Sequence, residues 1–291
     1  MIVHEPLAIP IGDATAFGIL VSPEVEGRLT ALVLPGAGNF GNGGPPLLAL
    51  CRRLATSGCA AMRLDYLGLG ESTGGITRLR ANAPRAIDPQ AAVEHLRQRG
   101  HANIALVGLC YGGRVAVETA VGIPALAGLA LLAPPLAAKG EIGASWTWRM
   151  LLRRVARPSR WRNFLQPEHR RTYAQIIRRF VRSRLRSPEI PAETRIPDSQ
   201  RPPDPWFVAA LEKLAARGVR VLLVAGEADK CLADLRRPEA ETLHTMLTTP
   251  GSGMELVVVP GSVHTFRDQD VVEAVIDRVV EWSGRIASTT R

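Results

Sequence analysis

Short apolar runs punctuate this chain, and stretches with helical spacing separate them. Residues 29–34 are apolar almost throughout and end at Pro35-Gly36-Ala37-Gly38-Asn39. Hydrophobicity that does not alternate predicts a strand buried on both faces, as in a parallel sheet. Runs at 59–64, 104–108, 126–132, 219–224 and 254–259 predict further strands. Helical spacing fills 45–57, where Leu47, Leu48, Leu50, Cys51 and Leu54 share a broad face before Gly58. It returns at 87–99, with Ala91, Ala92, Val93 and Leu96 inward and Gly100 as the stop, and at 114–121, 206–216, 239–247 and 271–286. Two leading strands, 2–11 and 15–21, flank a Gly12-Asp13 turn and predict an antiparallel edge. Strand alternating with helix predicts an α/β fold: a mostly parallel central sheet flanked by helices.

The alternation stops at Pro134-Pro135 and resumes at Trp206. Residues 136–205 therefore read as an insertion into a core made of 1–135 and 206–291. The insertion holds Trp146, Trp148, Trp161, Phe164, Tyr173 and Phe180, helical spacing at Ile176, Ile177, Phe180 and Val181, and a proline-rich return ending at Pro205. That composition predicts a helical cap. Charge sharpens the division. The 291-residue chain carries a formal +9, yet residues 139–204 alone hold 15 Arg and one Lys against six acidic residues. The body is near neutral, and the basicity belongs to a solvated cap face or to attraction of an anionic substrate. No nucleic-acid-binding motif accompanies the charge, so nucleic acid is not an expected partner.

The start Met1-Ile2-Val3-His4-Glu5 lacks a charged segment followed by an apolar one, and no apolar run has the length of a membrane span. No membrane partner is expected. Cys51, Cys59, Cys110 and Cys231 form no CxxC pair, which fits reduced thiols and a cytoplasmic location. No His/Asp/Glu cluster has metal-ligand spacing. The loop at 36–39 lacks the GxGxxG and Lys-Ser/Thr signatures of phosphate loops. No cofactor or metal is expected.

The candidate chemistry centres on Gly108-Leu109-Cys110-Tyr111-Gly112-Gly113, between the 104–108 strand and the helix beyond. A nucleophile type held between glycines at a strand-to-helix turn is the arrangement of a nucleophile elbow. Cys110 is the nucleophile candidate, because a helix N-terminus favours the thiolate. Asp229, just past the 219–224 strand in Gly226-Glu227-Ala228-Asp229, is the acid candidate, with Glu227 and Asp234 as competitors. His264, past the last strand in Pro260-Gly261-Ser262-Val263-His264, is the base candidate. His4, His95, His101, His169 and His244 lie on an edge strand, on or beside helices, or in the cap. The order nucleophile, acid, His is the order this architecture uses. Backbone amides of Tyr111 and of Ala37 or Gly38 are the candidate oxyanion donors. Cys231 falls two residues past Asp229 and reads as a small buried side chain near the site.

These residues, with Asp65-Tyr66-Leu67-Gly68-Leu69-Gly70-Glu71-Ser72, resemble the α/β-hydrolase superfamily over 1–135 and 206–291. The last stretch is similar to that family's DxxGxGxS turn behind the active site. Cysteine at the elbow resembles dienelactone hydrolases and thioesterase-like members. The capped layout is closer to peptidase-like, esterase and lactonase members. The resemblance implies an enzyme with a Cys-His-Asp triad acting on an activated acyl compound: a thioester, lactone or ester, free or linked to a carrier protein or CoA. A looser resemblance, to hydrolase-like proteins that tailor polyketides, implies elimination of an acyl (acetyl) group, as in tetronate formation. A catalytically silent binding homologue is the third expectation. The acyl group, its acceptor and the substrate-binding residues are not specified by these motifs.

Overall fold

The computed structural model describes residues 2–24, 27–36, 44–74, 86–137, 201–266 and 268–289. Eight strands form one sheet in the order β1-β2-β4-β3-β5-β6-β7-β8. They are β1 (Ile2–Ile11), β2 (Ala14–Pro23), β3 (Thr30–Leu34), β4 (Ala60–Leu64), β5 (Ile104–Leu109), β6 (Gly128–Leu132), β7 (Arg220–Gly226) and β8 (Met254–Val259). β1 and β2 are antiparallel, β2 joins β4 antiparallel, and every other pairing is parallel. The helices are α1 (Gly44–Thr56), α2 (Ile87–Gln98), α3 (Tyr111–Gly122), α4 (Pro205–Ala216), α5 (Lys230–Leu235), α6 (Glu241–Thr248) and α7 (Gln269–Thr289).

The uninterrupted apolar strands have a direct cause. Successive side chains point to opposite faces, and both faces are covered. Leu32, Leu34, Leu106, Leu129 and Leu131 pack with α2, α3, α4 and α6. Ala31, Val33, Ala105, Val107, Ala130 and Leu132 pack with α1 and α7. On the amphipathic α1, Leu47, Leu50, Cys51, Leu54 and Ala55 are buried, and Leu48 sits at the margin.

Three elements differ from the sequence expectation in ways that bear on the site. α3 starts at Tyr111 rather than Arg114, so the helix begins directly after Cys110. Gly112 and Gly113 are inside it, which a reading of glycine as a helix breaker does not foresee. β7 runs on to Gly226, closer to Asp229. The six-residue α5 had no periodic signal to announce it.

Residues 138–200 of the expected cap lie outside the described residues. The residues that flank that segment are described, and they meet. The Asp204 amide donates to the Leu136 carbonyl at 2.9 Å. Arg114, buried within α3, binds both flanks: Nη1 donates to the carbonyls of Pro135 (3.1 Å) and Leu136 (3.3 Å), and Nη2 pairs with the Asp204 carboxylate. Its guanidinium lies over the Phe207 ring, 4.9 Å from the centroid. Asp204 also caps α4, accepting from the Trp206 amide, with Pro205 as first helical residue.

Candidate active site

Cys110 carries the feature on which the site is built. Its backbone is at φ 51°, ψ −115°, between the end of β5 and the first residue of α3. Non-glycine residues pay of order 1–3 kcal/mol for such a conformation, which persists only where neighbours over-determine it. They do so here. The Cys110 amide donates to the Leu132 carbonyl (2.8 Å), and its own carbonyl accepts from Gly113 (2.9 Å). A Cβ on Gly108 would stand 2.3 Å from the Gly112 carbonyl oxygen, and one on Gly112 would stand 2.2 Å from that of Leu34. Those glycines are present because backbone approaches backbone. The result is a half-buried Cys110 at the N-terminus of a helix, where the helix dipole favours an anion.

The exit of β3 lies against the elbow. A Cβ on Gly36 would be 3.4 Å from the Cys110 Cβ and 3.2 Å from the Leu109 carbonyl oxygen. The Tyr66 hydroxyl braces this exit by donating to the Pro35 carbonyl at 3.1 Å. Its ring meets Tyr111 edge-on at 6.1 Å. Burial, then the neighbouring Tyr111, Asp88 and Cys110, push the Tyr66 phenol well up, so it stays a neutral donor. Tyr111, the first oxyanion candidate, is therefore placed directly beyond Cys110 with its ring locked. Ala37 and Gly38, the second candidates, lie outside the described residues.

The DxxGxGxS stretch folds as a closed turn behind this corner. Asp65 accepts from the Glu71 amide (3.2 Å), and Ser72 donates to the Asp65 carbonyl (2.7 Å) while accepting from the Phe17 amide (2.8 Å). Gly70 has a positive φ, and a Cβ there would fall on the Asp65 carboxylate. Buried Asp88 of α2 holds the turn by accepting from the Leu67 amide at 2.9 Å.

Asp229 follows β7 and is only 4% exposed. Its carboxylate gathers the His264 loop. Oδ2 accepts from the amides of Gly226 (2.8 Å) and Val263 (3.0 Å), and Oδ1 accepts from the Ser262 hydroxyl (2.6 Å). The His264 amide lies 3.2 Å from Oδ1 and 3.3 Å from Oδ2. So the structure brings Asp229 and His264 together through the main chain. Among the described residues no hydrogen bond joins the Asp229 carboxylate to the His264 imidazole, which is exposed. The competing acids are otherwise engaged: Asp234 is ion-paired with Lys230 (2.5 Å) and Arg237 (3.5 Å), and Glu227 is exposed. His101 bonds Thr30 through Nδ1 at 2.9 Å, at the far ends of β3 and β5.

Cys231 is buried at the start of α5. Desolvation first, then the charges of Asp229, Asp234 and Cys110, push its thiol up. It is a protonated thiol near the site. Ser262 and Arg114 had no motif to mark them, and Tyr66 fills a variable position of the DxxGxGxS stretch. Asp204-Pro205 is the exception, since Asp followed by Pro is a readable helix start.

A sequence profile of the alpha/beta hydrolase family matches residues 31–278. The chain belongs to the α/β-hydrolase family. It is an enzyme of the hydrolase type, and the sheet order, elbow and strand-end loops are those of its fold. Similar solved structures include an esterase of Pyrococcus furiosus, at 16% identity over 97% of this chain and 91% of that one, TM-score 0.61. Proline iminopeptidase of Mycobacterium smegmatis aligns at 17% over 99% and 100%, TM-score 0.55. A dienelactone hydrolase of Anabaena variabilis aligns at 14% over 97% and 96%, TM-score 0.54. Identities this low carry the fold and not the substrate. No curated protein matches the chain in sequence. Among the described residues, no helix of this α/β-hydrolase is long and apolar enough to cross a membrane, and no His/Cys/Asp/Glu group is arranged to hold a metal ion.

Proposed function

We propose that this α/β-hydrolase is a cysteine-dependent enzyme acting on an activated acyl compound, a thioester, lactone or ester. Cys110 is the nucleophile, His264 the base, and Asp229 the acid that orients the base. The backbone amides of Tyr111 and of Ala37 or Gly38 receive the oxyanion. The observation that supports this reading is the positive φ of Cys110 at the head of α3, a conformation that presents a side chain at the strand ends.

The chemistry follows in two steps. His264 takes the Cys110 proton, and Sγ attacks the carbonyl carbon, placing negative charge on the carbonyl oxygen. The intermediate collapses to an acyl-cysteine as His264 returns the proton to the leaving alkoxide or thiolate. Water then gives a proton to His264 and attacks the acyl carbon, and Cys110 leaves as thiolate. A thiolate forms more easily than an alkoxide and also leaves more easily. Poor leaving groups send the first intermediate backwards, so activated donors are favoured. The segment 136–205 acts as an Arg-rich cap that selects the substrate, drawing in a carboxylate or a CoA- or carrier-linked phosphate in the cytoplasm.

Intact-mass spectrometry against a panel of thioesters, lactones and acetylated acids tests the reading. An acyl adduct on Cys110, absent in Cys110→Ala, is the expected result. Turnover of an acetylated acid with no adduct in the wild type points to elimination instead and overturns the acyl-cysteine step.

A further inference from the structure

The Asp229 carboxylate is shared unevenly between its oxygens. Oδ2 is held by two short main-chain bonds, from Gly226 at 2.8 Å and Val263 at 3.0 Å. Both donors sit where β7 and the His264 loop touch; a Cβ on Gly226 would lie 2.4 Å from the Gly261 carbonyl oxygen. That contact fixes the carboxylate without help from a side chain. Oδ1 is different. Its short bond comes from the Ser262 hydroxyl at 2.6 Å, and its other donor, the His264 amide, is at 3.2 Å. Ser262 thus occupies the oxygen left over for a side-chain partner, two residues before the histidine whose ring has no bond to Asp229.

We propose that Ser262 is a positioning residue that competes with the His264 imidazole for Oδ1 of Asp229 and so sets how strongly that imidazole is held for Cys110. The inference rests on the triad reading above. A hydroxyl has one proton and rotates freely, so it can turn away and free Oδ1 for a ring N–H. While it stays, one donor already neutralises part of the carboxylate charge that stabilises an imidazolium. The competition is local. The titratable groups around Cys231, at the start of α5, are Asp229 itself, Asp234, Cys110 on the elbow and Lys230; near in sequence are Glu227 after β7, Asp268 before α7 and Asp270 in its first turn. Lys230 is tied to Asp234, which leaves the Asp229 carboxylate to the His264 loop.

The test measures alkylation of Cys110 by iodoacetamide between pH 5 and 9 in the full chain, read at Cys110 by peptide mass. Removing the Ser262 hydroxyl favours the thiolate–imidazolium pair, so thiolate persists to lower pH. Ser262→Ala should lower the midpoint by about half a unit to one unit, which raises the rate at pH 6 about 3- to 10-fold. Ser262→Thr, which keeps the hydroxyl, should return the wild-type midpoint. An unchanged or raised midpoint in Ser262→Ala, or a Thr variant that behaves like Ala, overturns the proposal. His264→Ala separates the two levels. If its profile equals the wild type's, the pairing of His264 with Cys110 fails. If it differs while Ser262→Ala does not, only the role of Ser262 fails.

Discussion

Replacing Arg114 by Met removes one partner of a buried ion pair and leaves the rest of α3 in place. The side chains of Arg114 and Asp204 are 1% and 15% exposed. Burial lowers the Arg114 pKa, and the Asp204 hydrogen bond and charge work against that shift, so the pair exists because each charge answers the other. Removing one partner of such a pair costs about 3–5 kcal/mol, chiefly for the charge left behind. The carbonyls of Pro135 and Leu136 lose their donor as well, and Phe207 loses its cation. At about 2–4 °C per kcal/mol for a chain of this size, the melting temperature should fall by roughly 6–20 °C. Asp204→Asn, which keeps a hydrogen-bonding cap for α4, should cost less. The double variant should cost clearly less than the sum, because Met beside Asn leaves no orphan charge. Thermal and urea melts of the four proteins complete the cycle. A fall below 2 °C in Arg114→Met, or strict additivity, would refute the reasoning.

Two further predictions concern packing and pH. Gly112→Ala drives a Cβ to 2.2 Å from the Leu34 carbonyl oxygen and 2.8 Å from that of Pro35, both backbone atoms at the site. It should cost about 1–3 kcal/mol or more and reduce acyl turnover about 100-fold. Gly284→Ala, in open space on α7, should instead stabilise by about 0.5–1 kcal/mol, and equal effects at both positions would sink the close-approach argument. Burial pushes the Cys51 thiol from 9.0 up to about 12, with Arg63 pulling weakly the other way. The unfolded thiol therefore ionises first, and stability that is full below about pH 9 is lost as pH rises toward 12, by up to about 1.4 kcal/mol per unit. Melts of Cys51→Ala should flatten that alkaline decline; parallel curves from pH 9 to 11 count against it.

The parts of this fold that were legible in the sequence are those set by local pattern. β8 at 254–259 and the two-faced burial of β3 and β5 follow from runs that do not alternate. Cys110, Asp229 and His264 stand out as candidates because each follows a strand, as the structure has them, and the glycines around Cys110 announce a tight crossing. What was not legible depends on distant partners. The bonds from Ser262 to Asp229, Tyr66 to Pro35 and Arg114 to Asp204 span 33, 31 and 90 residues. Gly112 and Gly113 misled in the same way. Their lack of a side chain answers to β3 and Pro134, not to the helix they sit in. A six-residue helix such as α5 is shorter than two turns, too short for a periodic signal to rise above chance.

Leu136, just past β6, and Asp204, at the head of α4, are joined by one hydrogen bond and held together by Arg114 of the helix that follows Cys110. Such an arrangement behaves like a socket. The cost of closing a loop rises only slowly with its length, by about 0.6 kcal/mol per doubling. What is plugged in can therefore grow, shrink or be exchanged for another sequence without displacing a single strand. The two flanks can then stay fixed while the sequence between them changes, and Arg114 is the contact that holds both.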